Sequence, residues 1–192
     1  MRHALLALPF ALLPLHAAQA ANHEHSHAHA HEEHASLGAH EHGVASLNVA
    51  LDGQTLEIQL QSPAMNLVGF EHEAKSDADK AKVAAARQHL EQPQALFALP
   101  IEAKCALQDS ELDSPLFGGH AHDEHEHADE HGHSDIDASY RFACANAEAL
   151  QTLELGSFFG TFPGTEKLEV QLIGPSGQQG AELTPSNSRL SF

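Results

Sequence analysis

Apolar residues recur at every second position from Val44 to Leu51 and again from Gln54 to Gln61, with Asp52-Gly53 between the two stretches. Alternation is the period of a half-buried strand, and Asp-Gly favours the two-residue turn whose twist suits flanking strands, so a hairpin is predicted. With that turn Val49 faces Leu56, Leu47 faces Ile58 and Ala45 faces Leu60, leaving Asn48, Glu57 and Gln59 on the other face. Ser62-Pro63 has the form of an N-cap followed by proline at the first helical position, opening a short turn through Met65-Asn66-Leu67 that reaches Gly69-Phe70-Glu71-His72. Ser76 to Gln92, rich in alanine and charge and stopped by Pro93, predicts a helix with a thin apolar face of Val83, Ala86 and Leu90.

Phe97, Leu99, Ile101, Ala103, Cys105 and Leu107 also alternate, with Pro100 suggesting an edge or a bulge; Tyr140, Phe142 and Cys144 repeat the pattern. Both cysteines then point inward. Leu153 to Leu155 and Leu168, Val170 and Leu172 predict further strands around an apolar turn, Phe158 to Pro163. His42 to Leu47 and His133 to Tyr140 open two stretches of similar order, consistent with an internal duplication. The expected class is α+β: two related small antiparallel β-sheet units with helical insertions, disulfide-linked, plus disordered His-rich segments. The divisions are a leader at 1–20, a His-rich run at 21–42, a first β-rich half at 43–118, a His-rich loop at 119–134 and a second half at 135–192.

Met1-Arg2-His3 is a basic start, Ala4 to Leu15 is apolar, and Ala18-Gln19-Ala20 has the small-x-small form of a cleavage site, so cleavage is expected after Ala20. The apolar stretch is too short to span a bilayer and no later segment is longer, which points to an exported protein with no membrane insertion, in a bacterial periplasm before a eukaryotic secretory route. The formal charge of −18 disfavours nucleic acid as a partner and concentrates cations instead. Export makes a Cys105–Cys144 disulfide the default, worth roughly 4 kcal/mol by loop-closure entropy. Two free thiols or a pair of soft metal ligands are the alternatives.

Of eighteen histidines, eight lie within residues 22–42 and six within 120–133. The first run holds His23, His25, His27, His29, His31, His34, His40 and His42; the second holds His120, His122, His125, His127, His131 and His133. In an extended chain, residues two apart lie on one side about 6.6 Å from each other, so neighbouring rings can converge on one ion at about 2.0 to 2.1 Å. Interspersed Glu and Asp can complete the shell or accept the second ring N–H. Imidazole with carboxylate selects Zn²⁺ first, several ions in all, with Ni²⁺ or Co²⁺ as alternatives; Ca²⁺ and Mg²⁺ sites are all oxygen. Only two methionines argue against a Cu(I) carrier. A run that metal must order loses affinity to chain entropy, which suits capture and release.

His42, Glu71, His72, His133 and Asp135 sit at the ends of predicted rigid elements and are candidates for ordered sites of higher affinity. The plainer reading is that Glu71 and His72 cap a turn, and the isolated His89 is taken as a surface residue. The runs are internal, interrupted and doubled, unlike a purification tag; a solvated linker with incidental affinity is the stronger rival. His23 to His27 matches H-E-x-x-H and His127 to His131 matches H-x-x-E-H, but such matches arise inside repetitive runs and lack a helix. A zinc hydrolase is therefore the weaker alternative, and no enzyme is expected.

Gly43 to Gly53, Ser62-Pro63-Ala64-Met65-Asn66-Leu67-Val68-Gly69-Phe70-Glu71-His72, Tyr140-Arg141-Phe142-Ala143-Cys144, Phe162-Pro163 and Gly177-Gln178-Gln179 together resemble the ZrgA-type periplasmic zinc-binding proteins. The resemblance extends from about His40 to the C-terminus. It implies a zinc-responsive Gram-negative periplasmic protein that assists a zinc ABC importer, with the importer or its periplasmic binding subunit as partner. Glu71 and His72 match the family's Phe-Glu-His motif, and His133 and Asp135 match its His-Ser-Asp element; run residues do not transfer one by one. The expected function is a zinc chaperone or buffer, with a nickel or cobalt binder, or metal that only stabilises the fold, as alternatives. Because histidine titrates near pH 6.5, zinc occupancy should fall sharply between about pH 7.5 and about pH 5.5 in a calorimetric titration; equal occupancy at both would refute reversible capture by imidazole.

Overall fold

The computed structural model describes residues 41–118 and 134–192. The leader, the first His-rich run up to His40 and the second run from His120 to His133 lie outside the described residues. The elements in chain order are β1 (Val44–Asp52), β2 (Thr55–Pro63), α1 (Ala64–Val68), α2 (Asp77–Leu90), α3 (Pro93–Leu96), β3 (Cys105–Asp113), β4 (Asp135–Cys144), β5 (Thr152–Glu154), α4 (Gly156–Thr161), β6 (Lys167–Gly174), β7 (Gly177–Leu183) and β8 (Arg189–Ser191). Six strands form one sheet in the order β3-β4-β2-β1-β6-β7, and β5 pairs with β8 in a second.

Alternation decides which face of the large sheet is buried. Ala45, Leu47, Val49 and Leu51 of β1, Leu56, Ile58 and Leu60 of β2, and Ile136, Ala138, Tyr140 and Phe142 of β4 are all buried on one face. Ser46, Asn48, Gln59, Gln61, Ser139 and Arg141 occupy the open face. Over the apolar face lies an aromatic layer in which Phe158 packs against Phe97 and Phe162, with ring centroids 6.3 and 5.3 Å away. Tyr140 fastens α2 to the sheet: its buried hydroxyl donates to the Leu90 carbonyl at 2.8 Å, and burial pushes the phenol well above the ordinary tyrosine range.

The α+β class, the two sheets and the Cys105–Cys144 disulfide match expectation. Val83, Ala86 and Leu90 are the buried residues of α2, whose N-cap Ser76 accepts from the Asp79 N–H. The two sheets do not correspond to the two halves of the chain, however. β4 pairs with β2 and β6 pairs with β1, so strands from both halves interleave, and the β1–β6 pairing is parallel.

Several local expectations also change. The hairpin turn falls at Gly53-Gln54, pairing Asp52 with Thr55, Val49 with Ile58 and Leu47 with Leu60. The apolar face survives because the register moves by two residues, and Gly53, at φ +56°, becomes the first central residue of the turn, where a two-residue hairpin loop calls for positive φ. Ser62 belongs to β2, leaving Pro63 as the cap of α1. The alternation from Phe97 to Ala103 is not a strand: Ala98 and Lys104 have positive φ, and Ile101, expected inward, is 90% exposed. Phe158 to Pro163 begins within a short helix that buries Phe158 and Phe159. β7 and β8 carried no apolar alternation to announce them, because β7 is an edge strand exposed along most of its length.

Tyr140→Phe removes the donor to the Leu90 carbonyl and is expected to cost about 1 to 3 kcal/mol in urea unfolding, without altering the sheet.

Candidate metal centre

One end of the large sheet gathers the residues of interest. Val44 opens β1 opposite Lys167 of β6, Pro63 closes β2 opposite Asp135 of β4, and Asp113 closes β3 opposite Asp137. The chain therefore enters β1 from the first histidine run, and the second run is the β3–β4 connection, both at this end. β2 alone separates β1 from β4, so the two entry points lie about 10 Å apart at the usual strand spacing.

The five-residue helix α1 sits between them. Its first N–H, from Ala64, donates to the Ser134 carbonyl at 2.8 Å, beside the last residue of the second run. Its Asn66, 3% exposed, reaches the end of the first run: Gly43 N–H donates to Asn66 Oδ1 at 2.7 Å, and Asn66 Nδ2 donates to the Val44 carbonyl at 2.8 Å and to Ser62 Oγ at 3.2 Å. Gly69, at φ +83°, closes the helix with its N–H on the Met65 carbonyl and turns the chain so that Phe70 is buried and Glu71 comes out at the sheet end.

There Glu71 Oε1 lies 3.1 Å from His42 Nε2. Glu71 is 11% exposed and His42 53%, so the carboxylate is shielded while the ring stays accessible to an incoming ion. A nitrogen and an oxygen this close can share one ion, or the carboxylate can hold one ring nitrogen while the other faces the metal. Gly43 itself is locked from the other side, its carbonyl accepting from Glu166 N–H at 2.7 Å and Lys167 N–H at 2.9 Å. The Glu166 side chain lies across Gly43, its carboxyl carbon 3.3 Å from where a Cβ would stand.

The remaining predicted site residues separate. His72 stacks on Phe70 with ring centroids 4.7 Å apart, and its Nδ1 lies 3.0 Å from the Glu73 carbonyl. It also faces the start of α2, where Asp79 is held below the usual carboxylate range by the Ser76 hydroxyl, with the His72 charge contributing. Asp135 is placed by β4, and its carbonyl accepts from the Ser114 hydroxyl at 2.7 Å. His89 packs edge-on to Phe162 at 6.3 Å, as a surface residue of α2. His23, His25, His27, His29, His31, His34, His40, His120, His122, His125, His127, His131 and His133 lie outside the described residues. Among the described residues no group of three or more His, Cys, Asp or Glu side chains converges as an ion requires.

A family model described as "ZrgA family zinc uptake protein" matches residues 39–192. The chain belongs to the ZrgA family. No individual curated protein matches it. The role that goes with the ZrgA family is zinc uptake, and the matched span takes in the folded sheet, the His42–Glu71 pair and the second run, but only the last few residues of the first. Among the described residues, no helix is long and apolar enough to cross a membrane.

Asn66 and Glu166 were not identified from sequence as parts of this site. Their partners are 23 residues away for Asn66 and farther for Glu166, and nothing local in either segment announces such contacts. Gly164 completes the enclosure, since a Cβ there would stand 2.6 Å from the Asn66 carbonyl oxygen. Gly164→Ala is expected to displace α1 and cost about 1 to 3 kcal/mol, measured as a lower thermal midpoint of the zinc-free protein.

Proposed function

We propose that this ZrgA-family protein captures Zn²⁺ in the periplasm and passes it to a zinc ABC importer, serving as chaperone or buffer and carrying out no catalysis. Zinc is its cargo. The single observation behind this reading is that both histidine runs join the fold at the sheet end where α1 holds His42 against Glu71. Chain that must be ordered by metal binds weakly per ligand, whereas ligands fixed on rigid elements avoid that cost, so a run beside a rigid pair gives a graded path from collection to retention. His42 and Glu71 would form the fixed part of the tightest site, with further ligands drawn from His72 after a rotamer change or from His40, His133 and Asp135. The nitrogen and oxygen donor set fits zinc and does not fit the all-oxygen preference of calcium or magnesium. The leader and its Ala18-Gln19-Ala20 cleavage form support export.

Zinc titration of the mature full-length chain against a chromogenic chelator tests the assignment. His42→Ala and Glu71→Gln should each weaken the tightest equivalent by about 10- to 100-fold while leaving the weaker ions in place. Replacing the run histidines His23 to His34 and His120 to His131 by serine should instead remove most of the total capacity with the sheet retained by circular dichroism. A tightest equivalent that survives both His42→Ala and Glu71→Gln unchanged sinks the proposed centre.

A further inference from the structure

We infer that Asn66 is the positioning residue of the zinc centre, a buried amide that touches no metal and sets the His42–Glu71 separation. The inference rests on the reading of that pair as a zinc site. His42 and Glu71 are 29 residues apart, in the turn before β1 and the loop after α1, so their 3.1 Å approach depends on what fastens the start of β1 to the exit of α1. Asn66 makes that connection with both ends of one side chain. Its Oδ1 accepts from Gly43 N–H at 2.7 Å, one residue beyond His42, and its Nδ2 donates to the Val44 carbonyl at 2.8 Å. The same residue lies on the helix whose cap, Gly69, directs the chain to Glu71.

Two further contacts keep the amide from swinging away. Nδ2 also rests on Ser62 Oγ at 3.2 Å, and Ser62 in turn donates to the Pro63 carbonyl at 3.1 Å. Behind it, Gly164 presses on the Asn66 backbone closely enough to exclude any side chain. An amide suits this position because it accepts from Gly43 N–H while donating twice, to the Val44 carbonyl and to Ser62 Oγ; a hydroxyl has a single proton to donate and a carboxylate has none. Backbone ties at Gly43 thus become a fixed distance between two ligands, the kind of support that determines whether a site binds tightly.

A double-mutant cycle separates positioning from general stabilisation. In mature full-length protein, Asn66→Ala should weaken the first zinc equivalent by about 10-fold, His42→Ala by at least as much, and the double variant no further than His42→Ala alone. In parallel, long-range ¹H–¹⁵N spectra of the zinc-free protein, with the His42 signal identified by its loss in His42→Ala, should show the ring nitrogens moving to solvent-like values in Asn66→Ala. Should Asn66→Ala fail to fold, Ser62→Ala removes only the hydroxyl supporting the amide and should give a smaller shift in the same direction. Losses that multiply in the double variant, or a His42 signal unmoved in Asn66→Ala while His42→Ala still weakens zinc, overturn this inference alone. A first equivalent untouched by His42→Ala removes the zinc reading of the pair, and this inference with it.

Discussion

Gly43 gives both of its backbone groups to distant partners, its N–H to Asn66 and its carbonyl to Glu166 and Lys167. Because β1 lies between β2 and β6, the start of β1 is the point at which the hairpin, the helix after it and the parallel strand β6 must agree in position. At φ +89° with a carboxyl-bearing side chain across its α-carbon, this position takes glycine only. His42 inherits its location from that junction. So does the order of contacts around α1, which touches the chain on the β1 side through Asn66 and on the β4 side through Ala64.

The electrostatic setting follows from the same arrangement. Lys167, next to Glu166, is drawn to Glu169 at 2.9 Å and Glu182 at 3.8 Å, so its charge is directed along the sheet. With a chain of net charge −18, the surroundings favour accumulation of cations near the sheet end.

How much of this was legible in the sequence depended on the distance between partners. The faces of β1, β2 and β4 were readable because alternation is local, and the buried stripe of α2 because its period is local too. The inward direction of Cys144 followed from the same alternation. The segment from Phe97 to Ala103 misled, since its alternating apolar residues are spread over short turns with left-handed breaks at Ala98 and Lys104, where periodicity carries no information about a sheet. The parallel partner of β1 was not readable at all: nothing in Lys167 to Gly174 distinguishes it from a strand that pairs with its sequence neighbour. For the site, the sequence offered His42, Glu71, His72, His133 and Asp135 as candidates without saying which would meet; the fold brings His42 and Glu71 to 3.1 Å, and the amide between their segments stayed hidden within Met65-Asn66-Leu67.

The disulfide has a consequence for the β3–β4 pair. Cys105 faces Cys144 directly at the end of that ladder opposite the connection, with Asp113 and Asp137 closing the other end. A ribbon sewn at its base can tolerate almost any insert at its tip, because each doubling of a flexible insert adds only about 0.6 kcal/mol of closure cost. The tip thereby becomes a replaceable cartridge: a peptide of different composition could be spliced in while the strands that carry it keep their pairing.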